Sequence, residues 1–174
     1  MDPPPGQLSL DRHRDLVGRA HQPWGRRAFL AILLAFCIAA LVNVFGEASI
    51  RSSASTPAAT LAVDAPDRLR GGLIAELELT VGARQAIAKP RIVLDRGWLD
   101  QITINTIVPE AAAQADEGGR LVLAYDRLPA GRTLTVRVQF QVNPVKIGVE
   151  DQGVALRDGD RTLAQVHRTL TVFP

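Results

Sequence analysis

Two carboxylates flank a tryptophan in Asp95-Arg96-Gly97-Trp98-Leu99-Asp100. Paired acids about 5–10 Å apart across a sugar-sized cleft can hydrolyse a glycosidic bond. A small β domain seldom offers that cleft. The pair therefore reads first as solvated loop acids beside a tryptophan that packs on the core. Left exposed, Trp98 would instead be an anchor for a partner. Asp158-Gly159-Asp160 and Glu150-Asp151 carry oxygen ligands of the kind calcium takes. The EF-hand spacing is missing, and Asp-Gly is ordinary turn chemistry.

The rest of the inventory is informative by what it lacks. Every serine lies before residue 56: Ser9, Ser49, Ser52, Ser53 and Ser55. The sole cysteine, Cys37, sits in a long apolar run. The part after residue 59 thus has no serine or cysteine nucleophile. Its one histidine is His167, while His13 and His21 lie before the apolar run, so no histidine-based zinc site can assemble there. No phosphate-binding glycine loop and no dinucleotide fingerprint occurs. The expectation is no catalytic residue, no cofactor and no metal, hence not an enzyme.

Any such residues must be held by elements, and one element dominates. Residues 28–46 form a run of 19 without a charge, AFLAILLAFCIAALVNVFG, of which 17 are apolar. As a helix at ~1.5 Å per residue the run spans about 28 Å, close to the hydrocarbon core of a bilayer. It has no polar face, unlike the core helix of a soluble domain. It reads as a transmembrane helix or uncleaved signal anchor. Five arginines precede it (Arg12, Arg14, Arg19, Arg26, Arg27) against three aspartates. Arg26 and Arg27 abut the run and give the topology signal, N-terminus in the cytoplasm. The formal net charge of the chain is +2, the same as this surplus of five minus three. It is too small to neutralise many phosphates, so no nucleic acid is expected as partner.

Three processing readings compete with a plain anchor. Phe36 before Cys37 is too large for a lipoprotein signal. Gly46-Glu47-Ala48 has small residues where a signal peptidase would cut, although the apolar run is long for a cleaved signal. Gly25-Arg26-Arg27-Ala28-Phe29-Leu30 resembles a twin-arginine export signal, departing at Gly25 and Ala31. Within the run, Ala31, Ala35, Ala39 and Asn43 recur every four residues, a candidate helix-contact face through which the chain could self-associate.

Ala48 to Pro57 is small and serine-rich and reads as a flexible spacer. Beyond it, period-two alternation is broken by turn residues. Strands are expected at 60–63, 73–81, 91–94, 102–108, 120–125, 133–142, 154–156 and 163–173. The segment TLTVRVQFQV is the clearest, with Leu134, Val136, Val138, Phe140 and Val142 on one side. Arg157-Asp158-Gly159-Asp160-Arg161 signals a hairpin turn. This pattern predicts an all-β fold, an immunoglobulin-like β-sandwich of seven to eight strands, preceded by one transmembrane α-helix. The chain divides into a largely disordered tail (1–27), the helix (28–46), a flexible linker (47–59) and an extracytoplasmic sandwich (60–174).

The run Leu128-Pro129-Ala130-Gly131-Arg132-Thr133-Leu134-Thr135-Val136-Arg137-Val138 resembles the penultimate-strand region of immunoglobulin-like repeats on bacterial surface proteins, with a Leu-x-x-Gly turn and then Thr/Val alternation. Gly71-Gly72 before a long strand is similar too. The resemblance implies a single-pass bacterial envelope protein and transfers no functional residue. The expected function is a membrane-anchored, non-enzymatic interaction or accessory module at the plasma membrane. Its expected partners are the lipid bilayer and a membrane or envelope protein. An exported soluble binding protein, formed by signal cleavage, is the first alternative. A small carboxylate-dependent hydrolase is the second.

Overall fold

The computed structural model describes residues 22–42 and 49–174. They belong to two compact units, Met1–Phe45 and Gly46–Pro174.

In the first unit, helix α1 covers Gln22–Leu41. It begins six residues before the charge-free run, taking in Pro23 and the Arg26-Arg27 pair. Proline is tolerated there because first-turn N–H groups have no intrahelical acceptor. From Trp24 to Val42 every side chain is exposed except Ala39, which is half-buried. The window Trp24–Leu41 is long and apolar enough to cross a membrane, a test that a signal sequence also passes. Asn43 and the end of the expected span lie outside the described residues.

The second unit is an immunoglobulin-like β-sandwich. Its first strands are β1 (Ser49–Ser55), β2 (Ala59–Pro66), β3 (Arg68–Arg70), β4 (Ile74–Ala83), β5 (Pro90–Leu94) and β6 (Ile102–Val108). Then come β7 (Ala113–Asp116), β8 (Leu121–Ala124), β9 (Thr133–Val142), β10 (Gly148–Asp151), β11 (Val154–Asp158), β12 (Arg161–Val166) and β13 (Thr169–Phe173). One sheet has the order β1-β2-β4-β9-β6. Facing it are β12-β11-β5-β8-β7 and a small sheet, β10-β13-β3. The core lies between, where Leu77, Leu79 and Val81 of β4 and Val136, Val138 and Phe140 of β9 join Ile92, Leu94, Leu123, Leu156 and Leu170 in one cluster. β9 alternates as its sequence requires, except that Leu134 is only half-buried.

Among the described residues the sandwich has thirteen strands where seven to eight are expected, for two physical reasons. β1, β3, β7 and β10 are short or polar strands that bury few side chains or none, so they carry no apolar alternation. The segment expected as a single strand, 163–173, breaks at His167-Arg168 into β12 and β13, which join different sheets. Alternation runs straight through the break, since Ala164, Val166, Arg168, Leu170 and Val172 are all buried. His167 is exposed, on the face opposite Val166.

The serine-rich segment expected as a flexible spacer is instead strand β1. It pairs antiparallel with β2 from Ser49↔Pro66 to Ser55↔Thr60. Thr56 closes this hairpin: its N–H and Oγ1 donate to the Ala59 carbonyl at 2.9 and 3.1 Å. Backbone pairing to an otherwise open edge orders the segment without help from apolar side chains. A chain of residues 56–174 should therefore unfold at lower urea than one of residues 49–174. Equal midpoints would restore the spacer reading.

Candidate functional site

The pairing registers put several segments at one end of the sandwich. Ser49 is there, opposite Pro66, as are Ile74 opposite Gln141 and Ile102 opposite Val142. β5 reaches the same end at Leu94 and runs into a short 3-10 helix, Arg96–Trp98. That turn is packed closely on the β10–β11 connection through two glycines, of which Gly97 faces backbone and Gly153 a side chain. A Cβ on Gly97 would collide with the Asp151 carbonyl, and one on Gly153 with the Asp95 carboxylate. The Asp95 N–H donates to the Gly153 carbonyl at 3.0 Å, and Trp98 Nε1–H donates to the same oxygen at 3.2 Å.

Over this junction opens a cavity of about 420 Å³ lined by Asp95, Arg96, Gly97, Asp100, Arg120, Glu150 and Asp151. The sandwich thus gathers both acids of the Asp95–Asp100 pair and the Glu150-Asp151 pair into one cleft. Lys146 neutralises part of it. Its side chain is 3 % exposed, and Nζ lies 2.9 Å from Asp100 Oδ2, 3.0 Å from Glu150 Oε1 and 2.6 Å from the Asp100 carbonyl. Arg120 Nε lies 3.3 Å from Asp95 Oδ1. The two acids that would have to act on a sugar together each answer to a separate cation. What the cleft offers is a surface of alternating charge, with the exposed Asp151 carboxylate at its edge.

Trp98 is not an exposed anchor. It is 2 % exposed, with its ring edge-on to Phe140 at 5.7 Å and 85°. The indole buries its apolar body and satisfies its one donor on the Gly153 carbonyl, which removes any reason to remain at the surface. The Arg168 guanidinium lies 5.7 Å from the Trp98 ring centroid. Its Nη2 donates to the Ala65 and Pro66 carbonyls, both at 2.7 Å. Burial pulls the Arg168 pKa below the ordinary arginine value, opposed by the charges of Asp67 and Asp64. On the far side of the sandwich, burial pushes the Tyr125 hydroxyl up to about 12.

The buried polar trio Lys146, Gln152 and Arg168 was missed from sequence. Arg168 was detectable: it stands two residues from both Val166 and Leu170 on the inward face. Lys146 and Gln152 lie in irregular connections, where no period marks an inward position.

The other expected residues stay apart. Asp158 Oδ1 accepts the Lys89 N–H at 2.7 Å, Asp160 lies 3.5 Å from Arg91, and Gly159 takes the positive φ of +59° that a tight hairpin demands. Among the described residues no three His, Cys, Asp or Glu side chains converge as metal donors. Ser49, Ser52, Ser53 and Ser55 enter the sandwich on its edge strand β1. Ala31 and Ala35 are exposed on α1, as are Arg26, Arg27 and Cys37, and Asn43 lies outside the described residues.

No protein-family model and no curated protein sequence matches the chain. Among solved structures it is similar to a CARDB domain from Pyrococcus furiosus, solved with di-metal ions, at 11 % identity over 68 % of this chain and 97 % of that one, TM-score 0.44. It is similar to the chitin-binding domain of a chitinase from Pyrococcus furiosus at 18 % identity, over 63 % and 97 %, TM-score 0.39. A non-cellulosomal cohesin from Archaeoglobus fulgidus gives 8 % identity, over 73 % and 92 %, TM-score 0.39. Values this low carry no residue, ligand or partner over to this chain.

Lys146 makes charge-assisted bonds and fills buried space. Lys146→Ala should cost roughly 2–4 kcal/mol of stability, and Lys146→Met less, because it keeps the packing. Urea unfolding of residues 49–174, followed by the fluorescence of Trp98, measures both.

Proposed function

We propose that the chain is a single-pass membrane protein with its N-terminus in the cytoplasm, presenting a non-enzymatic, immunoglobulin-like interaction module outside the plasma membrane. The observation that carries this reading is helix α1. It is apolar from Ala28 to Leu41, and nearly all its side chains are exposed. Such a surface is costly in water and favourable in hydrocarbon. Arg26 and Arg27, in its first turns, favour the cytoplasmic side for that end. The sandwich supports the binding role with one continuous apolar core and a charged cleft in which Asp95, Asp100 and Glu150 are tied to cations. Soluble release remains the second reading, favoured by one observation: a cut after Ala48 would remove α1 and leave β1 whole.

Fractionation decides between the two. The full-length chain should stay with membranes through a carbonate wash and come off only in detergent. Recovery in the wash, with the first 48 residues missing, would sink the anchor.

The small residues Ala31, Ala35 and Ala39 leave room on α1 for close approach of a second helix, with Asn43 as a hydrogen-bonding partner beyond them. Ala35→Leu with Ala39→Leu should lower the yield of crosslinked dimer in membranes. Unchanged yield would count against helix pairing.

A further inference from the structure

The large exposed apolar side chains of the sandwich are not scattered. Leu73, Ile74, Val145, Ile147, Val149 and Phe173 all lie at one end, whereas Ile50 and Val108 lie further along the first sheet, in neighbouring register rows. The registers establish the grouping. Gly71 donates to the Phe173 carbonyl at 3.0 Å, Gly72 packs against Pro144, and Gly148 pairs with Val172. The three most exposed are Val145 at 78 %, Val149 at 67 % and Ile147 at 64 %. They stand on the connection into β10 and on β10 itself, so they project from a narrow rim rather than a flat face. Exposed apolar residues grouped this way mark a contact surface.

This end is also where the chain enters the sandwich, at Ser49. Only residues 43–48 separate Val42 from Ser49, a reach of at most about 25 Å at full extension. We infer that this rim is seated in the headgroup region of the same bilayer that holds α1, with Val145, Ile147, Val149 and Phe173 dipped among the lipids. The inference rests on the membrane-anchor reading. Exposed Arg70 lies at the same end, opposite Phe173, suited to lipid phosphates, and Arg68 lies there too, 3.8 Å from Asp67. The acids of the charged cleft stand back from this rim: Asp95 and Asp100 flank the 3-10 turn, and Glu150 and Asp151 close β10 at the end away from Ile147. A lipid surface needs no shape match, only apolar tips and nearby cations, which is what this rim provides.

The test uses the full chain with Cys37→Ser, reconstituted in nanodiscs of mixed phosphatidylcholine and phosphatidylglycerol. A spin label is placed at Ile147→Cys or, for comparison, at Val108→Cys. Collision with oxygen reports lipid, and collision with a water-soluble nickel chelate reports solvent. The label at position 147 should meet oxygen more than nickel, and the label at 108 the reverse. A label at 147 that behaves like the one at 108 overturns the proposal. So does a label shielded from both reagents, which would mean a protein contact, either a second copy or another partner. If the chain does not co-purify with the disc at all, the anchor reading fails first. Both positions are exposed, so labelling should leave the thermal melt unchanged. Val149→Cys is the second site if Ile147→Cys melts early.

Discussion

A guanidinium buried at the end of an apolar core needs acceptors, because leaving its donors unpaired costs several kcal/mol. Arg168 meets part of that need with the last two carbonyls of β2, at Ala65 and Pro66, and rests against the face of Trp98. Its own carbonyl accepts the Gln152 N–H at 2.8 Å. One residue thereby joins the end of the first sheet, the 3-10 turn and the β10–β11 connection at the point where the chain leaves β12 for β13. The charged cleft is a consequence of that junction. It exists because Trp98 and the two glycines beside it let the Asp95–Asp100 turn close over the segment that carries Glu150 and Asp151.

Hydrogen bonding at this junction is not complete. Nε and Nη1 of Arg168 and both polar atoms of the Gln152 side chain are buried without a hydrogen-bond partner in the protein. Buried groups of this kind are commonly met by internal water. The same region therefore combines the tightest backbone approach in the sandwich with its least satisfied polar atoms.

The sequence was most legible where a strand buries one face. β4 and β9 could be read residue by residue, because alternation is what burial of one side imposes. Edge strands could not. SIRSSAS and AQAD bury little, so their order comes from backbone pairing, which is indifferent to side-chain type. The sheet change at His167-Arg168 was hidden for the opposite reason: the inward side stays inward across it. The cleft was half legible. Its acids stand close together in sequence, at 95 and 100 and at 150 and 151, but the lysine that binds two of them comes from an irregular loop. Trp98 could be placed outside or inside on residue type alone, and only its neighbours decide.

Strand β1 gives the attachment a mechanical character. It begins seven residues after Val42 and runs its whole length along β2 before the Thr56 turn. Ladder hydrogen bonds stand perpendicular to a strand. Tension delivered at Ser49 and resisted at the far end of the sandwich acts along β1, so the bonds are sheared together rather than opened one after another. The order of the chain thus makes the edge strand, which contributes little to the core, the element that carries load between the helix and everything the sandwich holds.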